Sequence, residues 1–142
     1  ALAAFIPIVL GMGGNVGIQT ATIIVRGLAT GHVSEGVGLQ YLWRETVIGV
    51  FLGLLYGTLI GVYTSVAYGD SGSVLQLSLT VGLSVLASMA SSAAVGAFTP
   101  LLFARMRIDP AVATGPIVTT SVDVLGILVY FWTATLILGT PT

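Results

Sequence analysis

Cysteine and lysine are both missing from this 142-residue sequence, and charge of either sign is scarce. Without cysteine there is no disulfide framework, no thiolate metal site and no cysteine nucleophile, and the redox compartment leaves no mark. Charged residues make up 6% of the chain, against roughly a quarter of an ordinary soluble domain. Arg26, Arg44, Arg105 and Arg107 stand against Glu35, Glu45, Asp70, Asp109 and Asp123. So few charges cannot cover a water-soluble globule, so lipid must cover much of this chain. The net charge of −1 also excludes a nucleic-acid binder, which needs a basic stripe to neutralise phosphates.

Enzyme motifs are missing too. There is no HExxH, no GxSxG and no Walker loop. An intramembrane diaspartyl protease needs a second aspartate at membrane depth, and Asp70 and Asp109 both read as loop residues. The single histidine, His32, falls in a loop, where it reads as solvated rather than as a ligand, so no intramembrane serine has a base to activate it. The chain is not expected to be an enzyme.

What is present is apolar length. Hydrophobic residues make up 56% of the chain and the mean hydropathy is +1.08. A helix needs about 20 apolar residues to cross the hydrocarbon core. Four runs meet that need, three of them uncharged and the last carrying only Asp123: Ala1 to Val25, about Thr46 to Tyr68, about Val74 to Ala104, and Pro110 to Leu138. The first lacks the positive start of a secretory signal and is too long for one. The expected architecture is therefore all-α, a polytopic transmembrane helical bundle with four spans, and a single domain over 1–142, since no internal repeat divides it. Arg26 and Arg44 flank the first connection, Arg105 and Arg107 fill the third, and the second, Gly69-Asp70-Ser71-Gly72, has no positive charge. The positive-inside rule then places the arginine connections in the cytoplasm and both ends outside, which implies a further span before this one. The stretch from His32 to Tyr41 is amphipathic enough for a short interfacial helix. The 19 glycines forecast close helix packing or broken helices. Gly49, Gly53, Gly57 and Gly61 form one ridge and Ser84, Ser88, Ser92 and Gly96 another, both at four-residue spacing and both read as helix contacts.

Asp123 does not belong in lipid. An ionisable side chain at membrane depth costs several kcal/mol and faces a partner or a water-filled path. On an unbroken helix Asp123 would lie about 21 Å beyond Asp109, too deep to snorkel. No lysine exists to pair with it, which leaves a protonated carboxyl, a bound cation or a hydrated lumen. The pattern of its helix favours the lumen over a neutral carboxyl bonded between helices. Gly115, Thr119 and Asp123 follow at i, i+4 and i+8, Gly126 and Tyr130 extend nearly the same face, and Ile117, Val124, Leu128 and Phe131 lie opposite. Gly115-Pro116 removes a backbone donor and frees carbonyls. In the first segment Asn15, Gln19, Thr22 and Arg26 form a second polar stripe. The glycines from Gly11 to Gly14 beside it are either a packing device or a source of exposed carbonyl ligands. One carboxylate with amide, hydroxyl and carbonyl oxygens suits Mg²⁺, Mn²⁺ or Ca²⁺ rather than zinc or copper. A symmetric homodimer would bring two such carboxylates to a shared axis. Mg²⁺ held through its water shell then needs few direct ligands.

The strings FIPIVLGMGGNVGIQTATIIVRGLATG, from Phe5 to Gly31, and DPAVATGPIVTTSVDVLGILVY, from Asp109 to Tyr130, resemble the two signature stretches of the MgtE-type magnesium transporters and channels. Trp43-Arg44-Glu45 resembles the family's acidic start of the next helix, and the likeness covers essentially the whole chain. The resemblance implies a homodimer with five helices per subunit, of which this chain carries the second to fifth, and an ion path at the dimer interface lined chiefly by the second and fifth. It implies that Asp123 is the pore aspartate that binds hydrated Mg²⁺, that Thr119 lines the pore one turn below, and that Asn15 is the amide of the Gly-rich motif. Familiar bacterial members often carry asparagine at the position of Gly115, so a side-chain oxygen is lost there. Many members also carry cytosolic Mg²⁺-sensing domains, of which nothing is visible in this sequence.

The expected function is therefore movement of hydrated Mg²⁺, or another divalent cation, down its electrochemical gradient through a dimeric pore in the plasma (inner) membrane. Metal binding falls to Asp123, with Asn15, Gly11, Gly14, Gln19, Gly115, Thr119 and Gly126 lining the path or holding the ion's waters. Glu45 is either a gating or ion-admitting carboxylate or the partner of a nearby arginine. Asp109 is read first as a helix N-cap before Pro110, and otherwise as a second gating carboxylate. Two rivals stand beside the channel: a proton- or Na⁺-coupled carrier, and a non-transporting membrane anchor.

Overall fold

In the computed structural model, residues 2–33, 36–69, 73–113 and 115–139 are described. Glu35 and Asp70 lie outside them. After a 3₁₀ turn at Leu2–Phe5 come α1 (Ile6–Ala29), α2 (Gly38–Ala67), α3 (Val74–Arg105), the single turn α4 (Pro110–Ala113) and α5 (Pro116–Leu138). Four stretches, Leu2–Ala29, Gly38–Ala67, Val74–Arg105 and Pro116–Leu138, are long and apolar enough to cross a bilayer. The fold is all-α, and the chain is an integral, multi-pass membrane protein.

Two connections differ from expectation. The first holds no separate interfacial helix among the described residues, because α2 already begins at Gly38 and runs on unbroken through Thr46. Continuing the helix keeps each backbone donor paired, whereas stopping and restarting it near lipid would not. The fourth segment is broken where one continuous span was expected. Asp109 caps its start, with Oδ1 accepting from the Ala111 amide at 2.9 Å. Gly115 then leaves helical geometry at φ −86° and ψ −110°, as the residue before a proline tends to do, and Pro116 opens α5.

Helix ends show how each reversal is made. Gly31 turns left-handed (φ 73°) beyond α1, its amide donating to the Leu28 carbonyl at 3.2 Å while Val33 donates back to that of Gly27 at 3.0 Å. Val33 is buried against Gly27, sealing the turn. At the end of α3 the left-handed position falls to Arg107 (φ 58°). The amides of Arg107 and Ile108 donate to the carbonyls of Ala104 and Phe103, at 3.0 and 2.9 Å, the pattern of a Schellman cap.

Helix α3 is the scaffold on which the others hang. In a membrane little hydrophobic force holds helix to helix, so close backbone packing has to serve instead. The ridge of α2 lies on one face of α3. A Cβ on Gly49 would stand 2.9 Å from the Met89 carbonyl, one on Gly53 2.9 Å from that of Leu86, and one on Gly57 2.5 Å from that of Gly82. The stripe of Ser84, Ser88, Ser92 and Gly96 lies on a different face, toward α1. There Gly13 meets the hydroxyls of Ser88 and Ser92, and Gly96 abuts the carbonyl of Gly17. Both ridges are helix contacts, made to different neighbours. Pro100 sits inside α3 one turn beyond Gly96, whose carbonyl it leaves without the usual amide donor.

Candidate ion path

α5 packs antiparallel to α1 along one side of α3. Val122 fills the space beside Gly17, and Ala21, Val118 and Val122 form a small buried cluster. One turn further along, the Asp123 Oδ1 stands 4.0 Å from where a Gly14 Cβ would lie. The carboxyl therefore lies beside Gly14, at ordinary contact distance from that position. Gly14 lies near the middle of the Leu2–Ala29 span, which puts Asp123 at mid-depth. The carboxyl is only partly buried, and among the described residues it has no hydrogen-bond or ion-pair partner. It is neither sealed among apolar side chains nor neutralised by an arginine.

The exposed face of α1 supplies the surroundings. Gly11, Asn15, Gln19, Thr22 and Arg26 are all exposed, a polar stripe running from mid-span to the arginine end of the bundle. Gly14 sits at the edge of this stripe, so Asp123 reaches its margin from α5. The helix is unbroken through Gly11–Gly14, so these carbonyls serve its own hydrogen bonds and form no bare array. What the glycines contribute is space. Gly13 admits α3, Gly14 lies at ordinary contact distance from the carboxyl, and nothing lies within 4 Å of a Cβ built on Gly11.

On α5 the small and polar stripe divides. Thr119 is partly buried, and its hydroxyl and amide both donate to the Gly115 carbonyl, at 3.1 and 3.2 Å. That carbonyl thus accepts the first hydrogen bonds of α5. Gly115 itself is exposed with open space around it. Gly126 and Tyr130 are buried: Gly126 meets Leu10 and the Ser88 hydroxyl, and the Tyr130 hydroxyl donates to the Leu2 carbonyl at 2.6 Å. The face of Ile117, Val124, Leu128 and Phe131 is exposed.

The break before Pro116 also resets the depth of Asp123. Asp123 lies seven residues into α5, roughly 10 Å of rise, while Gly14 lies fifteen residues from the end of α1, roughly 22 Å. α5 therefore begins roughly 10 Å inside the arginine end of the bundle, with α4 filling the remainder. At that end Glu45 is 6% exposed, on the face of α2 whose Gly38 and Gly49 meet Leu101 and Ala93 of α3. The sequence left open a pairing with arginine, but among the described residues Glu45 has no ion-pair partner. Asp109 is exposed and caps α4.

Sequence reasoning missed two features. Tyr130 ties α5 to the 3₁₀ turn that precedes α1, a long-range bond for which no local signal exists. The hydroxyls of Ser84 and Ser92 are buried without a hydrogen-bond partner, and Ser92 is covered by the close approach of α1 at Gly13 and Gly17. Among the described residues no three histidine, cysteine or acidic side chains come together to hold a metal ion.

Comparison with known proteins gives a consistent picture. Residues 6–133 match the MgtE family, described as divalent cation transporter, a description of transport rather than of catalysis. Three proteins called magnesium transporter MgtE are similar over nearly the whole chain. The one from Thermus thermophilus is 38% identical over 97% of this chain. Those from Bacillus subtilis and Enterococcus faecalis are each 31% identical, over 95% and 92% of it. The chain spans 28–30% of the length of these relatives.

Proposed function

We propose, because the chain belongs to the MgtE family of divalent cation transporters, that its helices conduct hydrated Mg²⁺ across the plasma membrane through a homodimeric pore. The observation that carries this reading is the unpartnered, partly buried Asp123 carboxyl at mid-membrane, beside an exposed polar stripe of α1. A buried charge without a partner is expensive, and water plus a divalent cation would remove that cost. Two subunits facing each other across their α1 stripes would place two such carboxylates along one aqueous path. Residues 1–142 then act as one conducting domain.

In this mechanism Asp123 attracts the ion and holds its waters. Mg²⁺ sheds water reluctantly, so outer-sphere contact suits it better than a closed cage. The side chains of Asn15, Gln19 and Thr119 would contact the same shell, and Gly11, Gly14 and Gly115 would give it room. Gly126 would set the spacing of α5 against α1 and α3. An inside-negative potential drives a divalent ion inward by about 4.6 kcal/mol per 100 mV, twice the value for a single charge, so no coupled energy source is needed. Mn²⁺ and Ca²⁺ share the hard-oxygen preference and are the natural competitors.

Flux through liposomes with no counter-ion gradient tests the reading. Wild-type chain should pass Mg²⁺, and the near-isosteric Asp123→Asn should fold yet lose most of the flux. Unchanged flux in Asp123→Asn would remove the role given to this carboxylate. Flux that stalls until a proton or Na⁺ gradient is applied would replace the channel by a carrier.

A further inference from the structure

All four arginines gather at one end of the bundle: Arg26 in the last turn of α1, Arg44 near the start of α2, and Arg105 and Arg107 where α3 ends. At this end α1 and α2 both lean on α3 but scarcely touch each other, and a cavity of about 130 Å³ opens between them. Leu28 of α1, Leu39 and Leu42 of α2, and Phe98 and Leu101 of α3 form its apolar walls, and Arg105 stands among its lining residues. Leu39, Phe98 and the neighbouring Trp43 are exposed. Glu45 and Asp109, the acidic groups described at this end, do not line the cavity. Glu45 is turned toward α3 and Asp109 is engaged by the Ala111 amide.

We infer that this cavity binds one anionic phospholipid from the leaflet on the arginine side, its acyl chain between α1, α2 and α3 and its phosphate on Arg105. The apolar walls offer water no hydrogen bonds, so a chain of methylenes is the occupant the surrounding lipid supplies. The rim offers a guanidinium, which matches a phosphate in geometry as well as charge. Arg26, Arg44 and Arg107 lie at the same end of the bundle and add to the positive potential there, as basic clusters at a helix end do for anionic headgroups. Trp43 lies at the same level, where aromatic rings favour the headgroup region. The lipid would fill the gap that the sparse contact between α1 and α2 leaves open. This inference rests on membrane insertion alone and stands whether or not the chain conducts Mg²⁺.

Lipid retention tests it. The purified chain, in micelles with equal phosphatidylglycerol and phosphatidylcholine, is examined by native mass spectrometry, with circular dichroism as the check on folding. Wild type should retain one phosphatidylglycerol in preference to phosphatidylcholine. Arg105→Gln should reduce this retention about tenfold, the loss of one charge-assisted bond, while Arg107→Gln, outside the lining, should change it by less than about threefold. Leu42→Trp, which fills the cavity and keeps every charge, should expel the lipid. Glycerol 3-phosphate should not displace it, because a headgroup alone leaves the apolar walls uncovered. Equal retention of the two lipids, unchanged retention in folded Arg105→Gln or Leu42→Trp, or displacement by glycerol 3-phosphate would overturn the proposal. Should Arg105→Gln fail to fold, Leu42→Trp decides the matter.

Discussion

Replacing Gly57 by alanine adds one methyl group where α2 meets α3, and the structure sets the cost. That methyl carbon would stand 2.5 Å from the Gly82 carbonyl oxygen, and a backbone oxygen cannot rotate away. To restore an ordinary contact of 3.4 Å the helices must part by roughly 0.9 Å at this point. A gap of that size forfeits about a quarter to a half of the dispersion energy of the atoms facing it. Gly53 and Gly61 share the ridge, against Leu86 and Ser78, so the loss spreads over several turns. Overpacking costs about 1–3 kcal/mol in general, and alanine recovers up to about 1 kcal/mol of helix propensity, so the net loss is up to about 2 kcal/mol while the difference from a glycine with room for the methyl is the full amount, about 1–3 kcal/mol. Gly11→Ala is the matched control, because nothing lies within 4 Å of its added carbon. It should be neutral or stabilising by up to about 1 kcal/mol. Denaturation in graded sodium dodecyl sulfate, followed by helicity or by Trp43 fluorescence, measures both. If the two variants move alike, close packing on this ridge does not hold α2 in place.

Tyr130→Phe removes the bond from the hydroxyl to the Leu2 carbonyl (2.6 Å) and should destabilise by about 0.5–1.5 kcal/mol. The same unfolding assay reads it, and no change would mean that the start of α1 finds another donor. Arg107 holds a left-handed position (φ 58°) better suited to glycine, so Arg107→Gly should stabilise the chain by about 1 kcal/mol. A lower unfolding midpoint would instead show the guanidinium to be worth more than the strain. Asp109→Ala should cost about 1 kcal/mol through loss of the cap on Ala111, while Asp109→Asn, an equally good cap, should leave both stability and Mg²⁺ flux unchanged. A fall in flux for Asp109→Asn would assign that carboxylate a part in conduction.

Composition and periodicity were enough for the coarse features. With 6% charged residues and four long apolar runs, only lipid-spanning helices satisfy both the side chains and the backbone. Asp123 stands out in any reading because nothing nearby in sequence can neutralise it. The glycine ridge of α2 and the serine and glycine stripe of α3 were legible as contacts for the same reason, since a repeat of four marks one side of a helix. Other features were hidden. The continuity of α2 from Gly38 and the break before Pro116 depend on competition between backbone bonds and proline geometry, which weighs differently in each context. The polar stripe of α5 looked uniform, yet Gly126 and Tyr130 turned inward while Thr119 and Asp123 stayed partly accessible.

By itself, then, the amino-acid sequence determined that this protein lies in a membrane as four helices, that a solitary carboxylate lies within it, and which end carries the arginines. These follow from local chemistry: the transfer of each side chain between water and lipid, and the repeat of the α-helix. Tertiary structure alone decided that α3 lies at the centre, that Asp123 comes to lie beside Gly14, and that α1 and α2 part to leave an apolar cavity beside Arg105. Those outcomes depend on which ridge finds which groove, a matter of shape between residues distant in the chain, and a small side chain records only that something can come close.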